Sequence, residues 1–502
     1  MDMWNDFLNS IKRFSRKLKN EEHCEHKKRS CVMVDNDRLL LISNEKYVTS
    51  KCLENKYGLD VYAVSNKDSE QKRRLSKEYG FRQVLLEKVD IIPMIKSFCH
   101  AARIAIRNDV DGIFKFEIDG VECGDLIYDS IIMREHRYTV NSFRSKIAFR
   151  EIALMYYIYY EYKKLFNKLN PKYFIAQDLV YRDGFAARYA IKRGIKTILL
   201  TTGRPSHLLT DLSLAKFPRL YEKDIKDCIE FLPEDWQEIT DERLNKLFSG
   251  EGDWNAKNAY MNKRVSSEKE MLEDLGISNN NKKNVFIMAH CFSDAPHGNG
   301  GQLYKDYYTW LCETLKLASS IDSVNWLLKL HPSRYRYGEE GAVEELFSKY
   351  GNDNINIFPD EYSTLMVKKI ADCVITVNGS AGLELTCAGI PCITAGTPFY
   401  SGFGYTITPS SIAEYESIIK KIDKIEPMND EQIRLAKKVY YGFTKVFHAD
   451  DAYSKECYMI HQNYCVDKNV DKANQKYMEV FKRIVDDDAI LNSYNYRTAM
   501  EL

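Results

Sequence analysis

At 502 residues the chain exceeds what one hydrophobic core ordinarily organises, so two α/β domains are the expectation. Its 72 basic and 72 acidic side chains cancel, which excludes a global field drawing it to nucleic acid; any anionic ligand must be met by local groups. Thirteen cysteines are scattered without a CxxC pair, a pattern of reduced cytoplasmic thiols rather than a zinc ribbon or disulfide framework. No run reaches the roughly 18 apolar residues of a membrane span, and the opening residues lack a signal-peptide core.

Residues 1–30 read as an amphipathic basic helix and linker. Trp4, Phe7, Leu8, Ile11, Phe14 and Leu18 recur at helical spacing, and Lys12, Arg13, Arg16, Lys17 and Lys19 crowd the second half. Such a helix either docks on its own protein or makes peripheral contact with an anionic membrane face. Residues 31–275 then alternate strands and helices. Strands are expected over 39–43, 61–65, 84–87, 173–177 and 196–202, with helices over 68–79, 91–107, 141–169 and 184–192. The acidic stretch FKFEIDGVECGDLIYDS (114–130) has two glycine turns and reads as a surface hairpin first and an acceptor-facing loop second. Strand ends of this first domain carry Gln177, Asp178, Arg182 and Arg204. The polar stretch 220–275 is a helical excursion that leads into the second domain.

That second domain spans 283–425, with helices over 426–502. Strands are expected over 284–289, 324–330, 355–358, 373–377 and 391–395. Spacing of ~30 residues fits repeated βαβ units. Ligands in open α/β sheets lie beyond the carboxyl ends of strands, and three strand ends here carry residues with chemical uses. The first holds His290, Asp294 and His297, candidates for acid, base or donor. The second is His331-Pro332-Ser333-Arg334: Pro332 stiffens the exit, and Arg334 is suited to a phosphate or carboxylate. The third is Asn378-Gly379-Ser380, followed by a helix-like run over 381–388. There Gly379 and Gly382 would let backbone approach an anion, Ser380 offers a hydroxyl, and Glu384 could meet a ribose.

HxFxD at 290–294, HPSR at 331–334, NGSAGLE at 378–384, AGIP at 388–391, FYSGFGYT at 399–406 and GDLIYDS at 124–130 together resemble the capsule polysaccharide biosynthesis family, which includes bacterial Kdo transferases. The resemblance implies an α/β enzyme of GT-B type: two Rossmann-like domains facing a cleft, with a helical C-terminal segment. It places the nucleotide-sugar donor on the second domain and a glycan or glycolipid acceptor mainly on the first. His331 and Pro332 would contact the nucleotide, Ser380 its phosphate, and Glu384 would sit near the ribose. The sequence departs from the retaining GT-B pattern in having Thr376 where an upstream glutamate stands. It also has Asn378 where the Kdo branch often has Gln.

The expected activity is transfer of a sugar from a nucleotide donor, CMP-Kdo or another CMP-sugar first and a UDP-sugar second, to a surface polysaccharide or glycolipid. Asp294 leads as the base and Asp178 follows. DxD triplets at 35–37, 109–111 and 486–488 fall outside the three clusters, so neither metal nor cofactor is expected. The rival readings are a sugar-nucleotide 2-epimerase, a polyol-phosphate transferase and a non-catalytic scaffold of a capsule assembly complex.

Overall fold

The computed structural model describes residues 29–447 except 35–45, 48, 52, 55, 56, 66–69, 87–89, 136, 177, 201–206, 210, 213–216, 251–257 and 278–280. The helix expected over 1–20, most of its linker, the strand over 39–43, Gln177, Arg204 and the C-terminal helix over 473–485 lie outside the described residues. No described helix is long and apolar enough to cross a membrane.

The chain forms two compact units. One takes the described residues up to Ile127, those from Ser142 to Ala215, and those from Thr444; the other takes Tyr128–Asn141 and those from Lys216 to Phe443.

In the first unit β1 (Arg29–Val34), β2 (Leu59–Ser65), α1 (Glu70–Tyr79), β3 (Arg82–Leu85) and α2 (Ile91–Arg107) follow in order. A two-stranded hairpin, β4 (Glu117–Ile118) and β5 (Val121–Glu122), leads into α3 (Gly124–Glu135). Next come α4 (Lys146–Leu169), β6 (Pro171–Ala176), α5 (Gly184–Lys192), β7 (Lys196–Leu199) and β8 (His207–Leu209). The sheet order is β3-β2-β1-β6-β7-β8, parallel except for β8. The surface hairpin expected over 114–130 is corrected in its second half: GDLIYDS opens a helix, and Leu126, Ile127 and Tyr128 are buried. Asp125 and Asp129 turn inward, while Glu117, Asp119 and Glu122 stay exposed. Arg188 grips Asp125 with two hydrogen bonds of 2.7 Å, a bidentate pairing that satisfies a buried carboxylate.

The second unit begins with α6 (Phe217–Ile229), α7 (Trp236–Phe248) and α8 (Glu268–Asp274). Its doubly wound part runs β9 (Asn284–Met288), β10 (Gly301–Gln302), α9 (Tyr307–Ser319), β11 (Asn325–Lys329), α10 (Ala342–Tyr350), β12 (Ile355–Phe358), α11 (Leu365–Ile370), β13 (Cys373–Thr376), α12 (Ala381–Thr386), β14 (Cys392–Thr394), β15 (Gly396–Thr397), α13 (Ile412–Ile419) and α14 (Asp430–Phe447). The main sheet is β12-β11-β9-β13-β14, all parallel.

Its strands are short apolar runs because both faces are covered. Along β9, Val285 and Ile287 pack with Trp310, Leu311 and Trp326 on one face. Phe286 and Met288 join Phe358, Met366 and Val367 on the other. Each such fully buried side chain contributes about 1.5–3 kcal/mol. The sheet is therefore a rigid platform, and its loops carry the polar residues.

Candidate functional site

Numbered by appearance, the second unit's strands stand in the order 3-2-1-4-5, the Rossmann arrangement. Winding reverses between β9 and β13, and a crevice at the carboxyl ends of those two strands is where such sheets take ligands. His290 follows β9, Asn378-Gly379-Ser380 follows β13, and His331 follows β11 on the far side of β9. Three polar strand ends that the sequence separates by dozens of residues are thus neighbours along one edge.

The two histidines share one design. Val377 donates its backbone N–H to His290 Nε2 at 3.1 Å, and the Thr376 hydroxyl lies 3.0 Å from the same nitrogen. A ring nitrogen that accepts from an amide carries no hydrogen, so the His290 proton is on Nδ1. The ring stacks on Tyr307 at 4.2 Å. His331 uses the opposite nitrogen: Nδ1 accepts the Ser333 N–H at 3.1 Å and faces the Cys291 thiol at 3.1 Å, which leaves the proton on Nε2. Burial, reinforced by His331, holds His290 down to about 3. Burial, with Lys329 and Arg334 beside it, holds His331 down to about 4. Both rings are neutral at physiological pH, and His290 Nδ1–H and His331 Nε2–H have no hydrogen-bond partner among the described residues.

The linkage has a definite sign. Both folded values lie below the ordinary 6.5, so protonation favours the unfolded chain. The stability is complete above 6.5 and is lost as pH falls towards 4. At pH 5 the deficit is about 2 kcal/mol for each ring. The thermal unfolding midpoint should therefore fall between pH 7.5 and 5, and His290→Asn with His331→Gln should flatten that slope; an unchanged slope would refute the burial of neutral rings.

The loop after β9 is held from below. Glu339, 1 % exposed, accepts from Phe292 N (2.8 Å), Ser293 N (2.9 Å) and Ser293 Oγ (2.5 Å). This shapes the turn that presents Asp294, whose carboxyl is pushed up by burial, against the lowering pull of the Tyr337 hydroxyl and Arg336. A carboxyl raised this way suits a proton acceptor. His297 is engaged on both sides: Nε2–H donates to the Lys305 carbonyl at 2.8 Å and Nδ1 meets Asp129 at 2.5 Å. It braces the loop, and neither nitrogen is open to a substrate.

The HPSR segment also differs from its simplest reading. Arg334 is committed to the Asp360 carboxylate, with Nη1 donating to the His331 carbonyl at 3.4 Å. Beneath it lies Lys329, the last residue of β11. It is 2 % exposed, its Nζ makes no hydrogen bond among the described residues, and Asp360 Oδ1 is 4.0 Å away. Burial, with Lys263 and Arg334 adding to it against Asp360, lowers its ammonium to about 8. Lys263 donates to the Asp360 carbonyl at 2.7 Å. Three cations thus converge on one residue. Ser333 is buried, and its N–H fixes the His331 tautomer. Pro332 separates the two.

Around Ser380 the glycines serve internal packing. A Cβ on Gly379 would stand 2.8 Å from Thr376 Oγ1 and 3.3 Å from the His290 ring. One on Gly382 would stand 2.3 Å from the Tyr400 hydroxyl. Tyr400, fully buried, donates that hydroxyl to the Gly379 carbonyl at 2.6 Å and so pins the turn. Asn378 is half-buried beside Gly300 and Gly396. Ser380 is exposed and its hydroxyl makes no hydrogen bond among the described residues. The helix after it, α12, has six residues where eight were expected, and Glu384 in it accepts from Tyr260 at 3.4 Å.

Asp178 belongs to the first unit. Its carboxylate accepts from its own turn, Leu179 N at 2.7 Å and Val180 N at 3.2 Å. Sequence reasoning assigned no role to Lys329, Glu339, Tyr400 or Asp129, and met Thr376 only as a departure from the retaining pattern. Lys329 left a signal, a charged residue inside the apolar strand run WLLKL, and Tyr400 and Asp129 lie within the FYSGFGYT and GDLIYDS segments.

No known family profile matches the chain, and no curated protein does. Among solved structures, it is similar to the KpsC β-Kdo 2,4-transferase of Thermosulfurimonas dismutans, at 12 % identity and a TM-score of 0.35 over 54 % of this chain and 79 % of that one. The KpsC β-Kdo 2,7-transferase of the same organism follows at 14 % and 0.33 over 56 % and 79 %. UDP-GlcNAc 2-epimerase of Neisseria meningitidis stands at 12 % and 0.26 over 82 % and 97 %. Likenesses of this extent leave the fold to be read from its own strand order.

Proposed function

We propose that this chain is a glycosyltransferase that moves a sugar from a nucleotide-sugar donor, a CMP-sugar first, to a surface glycan or glycolipid. The observation that carries the reading is the pair of neutral imidazole donors, His290 Nδ1–H and His331 Nε2–H. They stand at adjacent strand ends beside the exposed Ser380 turn, at the winding reversal of a Rossmann sheet.

In this reading the donor's phosphate lies over β9, β11 and β13. His331 Nε2–H, His290 Nδ1–H and the Ser380 hydroxyl donate to its oxygens, and Pro332 with Glu384 borders the nucleoside. Fixed donors of this kind stabilise a leaving phosphate without reorganising during the reaction. Asp294 takes the acceptor hydroxyl's proton as that oxygen bonds to the anomeric carbon. The bond from that carbon to the phosphate oxygen breaks, and the nucleotide leaves with both electrons. No metal ion or cofactor is required.

Thermal-shift binding with CMP, CDP, UDP and GDP tests the reading on wild type and Ser380→Ala. A ligand held only by the folded state raises the midpoint. A shift with CMP that the variant loses supports a CMP-sugar donor. A shift with UDP or GDP keeps the transferase class and discards the CMP-sugar. Nucleotide release that requires no acceptor favours the epimerase reading, and no shift with any nucleotide overturns nucleotide binding altogether.

A further inference from the structure

The helix α2, Ile91–Arg107, lies on α4: Phe98 stacks on Phe149 at 6.0 Å and His100 on Tyr156 at 4.2 Å. Its inner face is narrow, with Ser97 and Ala101 buried. Its outer face is apolar. Ile91 is 64 % exposed, Ile92 65 %, Ile95 54 %, Phe98 46 % and Ile106 75 %. At 100° per residue these side chains, with exposed Cys99 and half-buried Ala102, fill one arc along a helix about 25 Å long. A helix on a water-facing surface carries polar residues there. Exposed apolar area this contiguous marks a place where something else binds.

The charges say what binds. Lys96, Arg103 and Arg107 form one border of the arc, and no Asp or Glu occurs from 91 to 107. Asp90, at the amino end, is paired with Lys164 at 3.0 Å. A second copy of this helix would bring three more cations alongside, and the opening stretch 1–20 is itself basic. Neither complements the border. An apolar arc whose charged border on the helix is cationic complements an anionic lipid surface, where the arc enters the acyl boundary and the basic edge meets headgroups.

We propose that α2 is a membrane-docking helix that seats the first unit on an anionic bilayer. The full chain should sediment with phosphatidylglycerol vesicles and far less with phosphatidylcholine. Ile95→Asp with Ile106→Asp should cut partitioning at least tenfold while the melting midpoint holds, because both side chains are already exposed. Glutamine at 96, 103 and 107 should cut it roughly fivefold per charge, on anionic vesicles only. Because the opening stretch is also basic, a contact-specific readout is needed. A p-benzoylphenylalanine in place of Ile106 should photo-crosslink to lipid. No sedimentation of the wild type, unchanged partitioning in the isoleucine variant, or a crosslink to protein would overturn the proposal.

Discussion

His331→Ala should lower turnover of the nucleotide-sugar donor by about 10²–10³-fold, the loss typical of removing one fixed donor to a developing anion. Nucleotide affinity should fall less, by about tenfold to a hundredfold, the equivalent of one hydrogen bond to a charged group. Ser333 N–H occupies Nδ1 and forces the proton onto Nε2, and burial keeps the ring neutral to about pH 4. A neutral donor does not titrate between pH 6 and 8, so the affinity ratio of wild type to His331→Gln should be flat across that range. An imidazolium that bound phosphate by charge would weaken it as pH rises. Alanine also strips a partner from Ser333 N and Cys291, which costs about 1–3 kcal/mol of stability. His331→Gln controls for this, since its amide supplies an N–H and should recover part of the rate. Steady-state kinetics with the binding isotherm checks the split. A His331→Ala enzyme that stays folded with unchanged kcat and affinity would remove His331 from the site.

Lys329→Met should stabilise the fold by about 3 kcal/mol at pH 7 while lowering activity. The ammonium is buried, makes no hydrogen bond among the described residues and faces Asp360 only at 4.0 Å. Its folded value of about 8 lies below the ordinary 10.5. The unfolded chain therefore binds the proton more tightly, and the cost is fully present below pH 8. It disappears as pH rises towards 10.5. Each pH unit of that gap is worth about 1.4 kcal/mol. Methionine keeps the volume and removes the charge, and Asp360 retains Arg334. Denaturant melts at pH 7 and pH 9.5 should show the gain shrinking at the higher pH. A methionine variant destabilised by more than about 2 kcal/mol would mean that Lys329 and Asp360 form a structural ion pair, whose half-removal is costly. The functional half follows from position: Lys329 lies within electrostatic reach of His331 at the strand end. A lysine that weakens the fold there is best accounted for by an anion bound nearby.

How much of this was legible beforehand depends on the range of the forces involved. The five strands of the second unit's main sheet were readable to within a residue or two because two-sided burial writes a continuous apolar run, as in Asn-Val-Phe-Ile-Met at β9; the short pair β10 and β15 was not. The helix at 184–192 and the strand at 355–358 lie at their expected bounds. The hairpin expected over 114–130 failed in its second half for a related reason. Gly124-Asp125 reads locally as a turn, yet Asp125 is drawn inward by Arg188, 63 residues away.

The sequence by itself determined the α/β alternation, the three polar strand ends and the residues on them, since period and strand-end chemistry are local. Only the tertiary structure decided what those residues are able to do. It placed Val377 N–H on His290 and Ser333 N–H on His331, which assigned opposite tautomers to two identical side chains. It closed both nitrogens of His297, tied Arg334 to Asp360, and left Ser380 open. Protonation, pairing and exposure are properties of neighbours brought together by folding. The linear order of residues carries them only where those neighbours are also adjacent in the chain.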